Sequence, residues 1–130
     1  MPAHDEAAVI EGVIASLHRL DWPAEDFRVL VVADNCSDTT AALARAAGAV
    51  VLERHDPERR GKGHALAFGF AASLAQAWAG AVVVVDADTE VSNNLLEAFA
   101  ARLETGAKAV QAHYGVRNPQ DSWRTRLMAI

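Results

Sequence analysis

The stretch Leu30-Val31-Val32-Ala33-Asp34-Asn35-Cys36-Ser37-Asp38 passes from an apolar run into a polar turn. Residues 27–32 have the composition of a strand, and either Ser37 or Asp38 can cap the helix predicted over residues 38–47. Gly48 stands just past that helix, at a position where glycine commonly ends one. A strand that leads through a polar turn into a helix is the unit from which parallel α/β sheets are built.

The same alternation of helix and strand continues on both sides of this unit. The other predicted elements are a helix near 6–20, a strand over 49–52, a loop over 53–62, a helix over 63–79, a buried strand over 81–85, a helix capped by Ser92 with the apolar face Leu95, Leu96, Phe99 and Leu103, a half-exposed strand over 110–116, and a helix that begins near 121. This order predicts one α/β domain over residues 1–130, Rossmann-like, with a mostly parallel sheet and helices on both faces.

Composition and charge exclude several classes of protein. The chain has 130 residues and is 52% hydrophobic, which suits one domain with its own core. Twelve Lys and Arg against 17 Asp and Glu argue against a nucleic-acid binder, which needs a concentrated basic surface. Cys36 is the single cysteine, so an internal disulfide framework and a Cys-rich zinc site are excluded. The first residues lack the pattern of a secretory signal, so we expect a reducing, cytoplasmic location.

One long uncharged stretch, His64 to Val85, is long enough by count to span a bilayer. It is rich in alanine, contains Gln76, and divides at Gly80 into a helix-like part and the β-branched run Val82 to Val85. We therefore expect a buried helix followed by a buried strand.

Polar clusters fall near the chain start and after two predicted strands. The carboxyl ends of parallel strands are where ligands bind in such sheets. Asp86-Ala87-Asp88 follows four valines, and two carboxylates so close together favour a cation between them. A solvated turn that caps the next segment is the alternative explanation. Arg60-Gly61-Lys62-Gly63-His64 stands at the start of a helix and offers backbone N–H groups and a lysine to phosphate.

Taken in order, these clusters resemble the N-terminal half of a family 2 glycosyltransferase with the GT-A fold. The motifs that carry the resemblance are Pro2-Ala3-His4-Asp5-Glu6, Ala33-Asp34-Asn35-Cys36-Ser37-Asp38, Gly61-Lys62-Gly63-His64-Ala65-Leu66 and Asp86-Ala87-Asp88. The Asp-Ala-Asp form and the tail from Asn118 to Arg124 are most similar to membrane-associated members, which resemble cellulose synthase or poly-N-acetylglucosamine synthase and act in polysaccharide biosynthesis.

The resemblance implies a nucleotide-sugar site for a UDP-sugar, built from Pro2, Ala3, His4, Glu6, Asp34, Asn35, Lys62, Gly63, Asp86 and Ala87. It implies that Asp88, with Asp86, holds a Mg²⁺ or Mn²⁺ ion that bridges the diphosphate. The implied reaction transfers the sugar, with inversion, to a saccharide or lipid-linked acceptor.

The departures from the family pattern predict a fragment, truncated at both ends. Met1 stands where members have an apolar strand, and the acidic motif that supplies the catalytic base is expected downstream of Ile130. We expect this part to carry the donor site without the base, to fold marginally or self-associate, and to reach a membrane only through segments outside it, at the cytoplasmic face. Two alternatives stay open: a non-catalytic UDP-binding module, and a haloacid-dehalogenase-like phosphatase that uses Asp86 as its nucleophile.

Overall fold

The computed structural model describes residues 1–77, 79–113 and 115. Its strands are β1 (Pro2–Ala3), β2 (Leu30–Asp34) and β3 (Val50–Arg54). Its α-helices are α1 (Ile10–Leu17), α2 (Thr40–Ala46), α3 (Lys62–Ala75) and α4 (Leu95–Glu104), and a 3₁₀ turn covers Ala24–Asp26. The predicted class is confirmed: helices alternate with the strands of a parallel sheet.

The sheet has the order β1-β2-β3, and both strand pairs are parallel. Ala3 pairs with Ala33, and Asp34 pairs with Arg54 at the last position of β2 and β3. All three strands therefore end at one edge of the sheet, which carries the polar residues that follow them. Asn35 turns the chain there with a φ of +52°, a conformation that asparagine tolerates better than most residues.

The core lies between this sheet and the helices packed on it. Ile10, Ile14, Val31 and Thr40 are its largest fully buried side chains. Thr40 is polar, but its hydroxyl accepts a hydrogen bond from the Glu6 backbone N–H and donates one to Asp38, so its burial leaves no polar atom unpaired.

The helix α3 packs against β2 through a glycine. A Cβ atom on Gly69 would lie 3.0 Å from a methyl carbon of Val32, so the absence of a side chain allows the close approach. This contact fixes α3, which begins at Lys62, against the strand that ends in Asp34.

The buried strand predicted over residues 81–85 is wrong. The segment has no strand assignment, and Val82 and Val84 are 45% and 41% exposed, whereas Val85 is buried. A strand exists only where a partner backbone completes its hydrogen bonds. Among the described residues, the sheet contains only β1, β2 and β3, and none of these strands pairs with this segment.

The described part of the chain divides into two units, Met1–Glu97 and the residues from Ala98 onward. Helix α4 begins at Leu95, later than the predicted cap Ser92 implies, and Gly106 follows its end with a φ of +95°. Residues 110–113 alternate between half-buried and exposed as predicted, but they form no ladder among the described residues. Tyr114, Val116, the tail from Asn118 to Arg124 and the helix predicted near 121 lie outside the described residues.

No helix within the described ranges is both long and apolar enough to cross a membrane.

Candidate functional site

A cavity of about 460 Å³ opens in the first unit at the edge where the strands end. Its lining brings together all four sequence clusters: Pro2, Ala3, His4, Glu6, Asp34, Asn35, Arg60, Gly61, Lys62, Ala65, Asp86, Ala87 and Asp88. The size lies in the range of sites that bury a small ligand.

The first wall of the cavity is built where the turn after β1 meets the end of β2. The ring Nδ1 of His4 lies 2.8 Å from the backbone oxygen of Asp34, so Nδ1–H donates to it. Asp5, at a φ of +52°, accepts hydrogen bonds from the backbone N–H and the hydroxyl of Ser37 at 2.6 and 3.0 Å. The bonds from Ser37 lower the pKa of the Asp5 carboxyl below its ordinary value. The two loops are therefore held together while Asp5 is ionised.

Asp34 forms the floor of the cavity and is paired with Arg54. Arg54 Nη1 donates to Asp34 Oδ1 at 2.6 Å, and the side chains are 10% and 7% exposed. The Asn35 side-chain amide donates to the same oxygen at 3.0 Å. Sequence reasoning missed Arg54, whose signal was an arginine at the end of the strand that follows the one ending in Asp34.

The basic wall is the turn that begins α3. Gly61 has a φ of +107° and a ψ of 160°, a region open almost only to glycine, although space around it is free. This turn brings Lys62 to the cavity, where its Nζ lies 2.6 Å from Asp86 Oδ1. Arg60 lines the cavity beside it. Two cations at one wall suit an anionic ligand such as a diphosphate.

The acidic wall is Asp86-Ala87-Asp88. Ala87 is buried, Asp86 is half-buried, and Asp88 is exposed at the cavity. Mg²⁺ is usually bound through one or two carboxylates plus substrate phosphates and waters, so two carboxylates and two cations that line one cavity fit a metal bound together with a diphosphate.

A second group of potential metal ligands lies at the rim. In the described part of the chain, His4, Asp5 and Cys36 are the one group of three such residues whose ligand atoms all lie within 4.8 Å of one another. Asp5 already accepts the bonds from Ser37, and burial raises the pKa of the Cys36 thiol, which favours its protonated form. This group is therefore a weaker candidate for a metal than Asp86 and Asp88.

The structure brings together nearly all the residues predicted for the site. Gly63 is exposed and, with His64, is not part of the cavity lining defined by the described residues. Arg60 and Gly61, which belong to the cluster predicted to meet phosphate, line it, and so does Ala65, which was not predicted as a site residue. Helical geometry was the available signal, because Ala65 lies one turn after Gly61 on the same face.

The family model of glycosyl transferase family 2 matches residues 1–129. The chain belongs to this family. Membership in this family argues against the alternative in which Asp86 is the nucleophile of a phosphatase. The comparison with curated proteins found no match.

Solved structures agree with this membership and confirm the GT-A fold. The mannosyltransferase PcManGT from Pyrobaculum calidifontis, solved with GDP-Man and Mn²⁺, is 25% identical with a TM-score of 0.66, over 95% of this chain and 36% of that one. A mycobacterial protein is 33% identical with a TM-score of 0.61, over 82% of this chain and 36% of that one. TarS 1–349 from S. aureus, solved with UDP-GlcNAc, is 19% identical with a TM-score of 0.62, over 88% of this chain and 36% of that one, and shows the fold alone. The chain thus spans little more than a third of each relative.

Proposed function

We propose that this chain forms the donor-binding part of an inverting, metal-dependent glycosyltransferase that uses a UDP-sugar. The observation that carries the proposal is that one cavity, at the carboxyl ends of the strands, is lined by residues from four separate sequence clusters. Two similar structures were solved with nucleotide sugars, GDP-Man and UDP-GlcNAc, which supports a ligand of this class.

The nucleoside would lie against Asp34 and His4. A carboxylate can accept hydrogen bonds from a base N–H or from ribose hydroxyls, and the hydrogen bond from His4 to the Asp34 backbone holds this wall in place. Ala3 and Pro2 offer a small apolar surface beside them.

The diphosphate would lie between Lys62 and Arg60 on one side and the aspartates on the other. Asp88, with Asp86, would hold Mg²⁺ or Mn²⁺, which supplies charge neutralisation to the departing diphosphate. In the ligand-free protein Lys62 pairs with Asp86, and an arriving phosphate would compete with Asp86 for Lys62. The pair therefore keeps both side chains in place before the donor binds.

The acceptor would be a saccharide or a lipid-linked saccharide, and its hydroxyl would attack the anomeric carbon from the side opposite the diphosphate. A carboxylate base would remove the proton of that hydroxyl. We place the reaction in the cytoplasm or at the cytoplasmic face of a membrane.

Binding is tested by thermal and urea unfolding of residues 1–130 with UDP, GDP and ADP, each with and without Mn²⁺. UDP with Mn²⁺, at a concentration one hundred times its Kd, should raise the free energy of unfolding by about 2.7 kcal/mol. GDP and ADP at that same concentration should raise the free energy of unfolding less. Stabilisation by GDP above UDP would change the assigned donor. If no nucleoside diphosphate stabilises the folded chain, the proposal is wrong.

A further inference from the structure

Arg54 occupies an unusual position for a residue that does not line the cavity. Its guanidinium is nearly buried and donates in two directions. Nη1 binds Asp34 at 2.6 Å, whereas Nη2 binds Asp56 Oδ2 at 3.0 Å and the Arg59 backbone oxygen at 2.7 Å. One planar group therefore joins the floor of the cavity to the loop that leads into its basic wall.

The loop side of this connection is closed by further bonds. Asp56 accepts from the Arg59 backbone N–H and from Arg59 Nε, both at 3.0 Å. The Asp56 backbone N–H donates to the Asn35 side-chain oxygen at 2.8 Å, which ties the loop back to the end of β2. Arg60 and Lys62 follow directly after residues 55–59 of this loop, so the position of these residues sets where the side chains of the two cations lie.

The cavity side of the connection decides which oxygen of Asp34 is free. Arg54 and Asn35 both donate to Oδ1, and no hydrogen bond within the described residues reaches Oδ2. Among the described side chains no buried polar atom lacks a partner, so Oδ2 must be open to solvent. Asp34 lines the cavity, and Oδ2 is its carboxylate oxygen without a hydrogen-bond partner among the described residues, so we infer that Oδ2 is the acceptor offered to a ligand.

We propose that Arg54 is a positioning residue for donor binding. It fixes the Asp34 carboxylate so that one acceptor oxygen is presented to the nucleoside, and it holds the loop that places the cations for the diphosphate. This inference rests on the proposed function of the cavity. Arginine suits the role because its rigid fork donates along two directions at once, which a lysine ammonium on a flexible stem does not reproduce.

The test compares Arg54→Lys and Arg54→Met with a matched control, Arg45→Met. Arg45 also pairs with an acidic residue, Glu53, but on the surface, where the side chains are 51% and 60% exposed. Affinities for UDP and for uridine are measured by titration calorimetry well below each melting temperature. Arg54→Lys should weaken UDP and uridine binding at least fivefold and Arg54→Met at least tenfold, whereas Arg45→Met should leave both within twofold.

A double variant separates positioning from a merely structural role. In the proposal Arg54 acts on the nucleoside only by positioning Asp34. The Arg54→Lys change should therefore weaken uridine binding much less in an Asp34→Asn protein than in the wild type. Equal losses in both backgrounds would indicate a general structural effect and overturn the proposal. If Arg54→Met does not fold because Asp34 is left unpaired, Arg54→Lys, which keeps the charge, decides.

The possible failures are distinguishable. Wild-type protein that binds no nucleoside diphosphate would refute the proposed function, and the role of Arg54 with it. Wild-type protein that binds UDP, beside a folded Arg54→Lys variant that binds UDP and uridine equally well, would refute the role of Arg54 alone.

Discussion

Replacing Gly69 by alanine should destabilise the fold at the contact that positions the site. The new Cβ would lie 3.0 Å from a methyl carbon of Val32, well inside an ordinary methyl contact. Val32 is 3% exposed, lies in the middle strand and has a β-branched side chain with restricted rotamers, so it cannot easily move away. Overpacking of this kind costs about 1–3 kcal/mol.

The matched control is Gly12→Ala, in the exposed face of α1, where a Cβ meets no atom within 4 Å. Alanine in a helix is favoured over glycine by about 0.5–1 kcal/mol, and both substitutions receive this gain. The difference in free energy of unfolding between the two variants therefore measures the clash alone and should be about 1–3 kcal/mol. Urea unfolding followed by circular dichroism gives both values. If Gly69→Ala stabilises as much as Gly12→Ala, α3 does not lie on β2 as described.

Three further substitutions test the cavity. Asp88→Asn should leave the melting temperature of the ligand-free protein nearly unchanged but abolish the Mn²⁺-dependent part of UDP binding. If calorimetry finds the same Mn²⁺ dependence in this variant as in the wild type, Asp88 is not a ligand of the metal. Lys62→Met should lower UDP affinity about tenfold but change unfolding free energy by no more than about 1 kcal/mol, because its ion pair with Asp86 is substantially exposed. Asp5→Asn should lower the melting temperature by a few degrees at pH 7 and by much less near pH 3. The pKa of Asp5 is lowered by the bonds from Ser37, so its contribution is present above the unfolded pKa and is lost as pH falls through the folded one. A difference between Asp5→Asn and wild type that does not change between these pH values would contradict that role.

Local sequence patterns were enough to predict the helices, two of the strands and the positions of the polar clusters. Apolar spacing predicted α1 and α4, and the alanine-rich stretch before Gly80 predicted α3; the central parts of all three helices lie within the predicted ranges. Local rules suffice for helices because their hydrogen bonds close within four residues. The position of Asp34 at the end of a strand followed from the same kind of local pattern, an apolar run that passes into a polar turn. Parallel strands place their carboxyl ends together, which is why residues at the ends of different strands were expected to lie near one another.

Which residues meet across neighbouring strands could be known only from the folded chain. The pairing of Asp34 with Arg54 depends on the register of β2 and β3, and no local pattern specifies which residue of one strand stands beside which residue of the next. The same reason explains the wrong strand over residues 81–85: four valines favour extended backbone, but a strand also needs a hydrogen-bonded neighbour, and no described strand pairs with this segment. Helices could be read locally, whereas sheet partners and the salt bridge beneath the cavity required the folded arrangement.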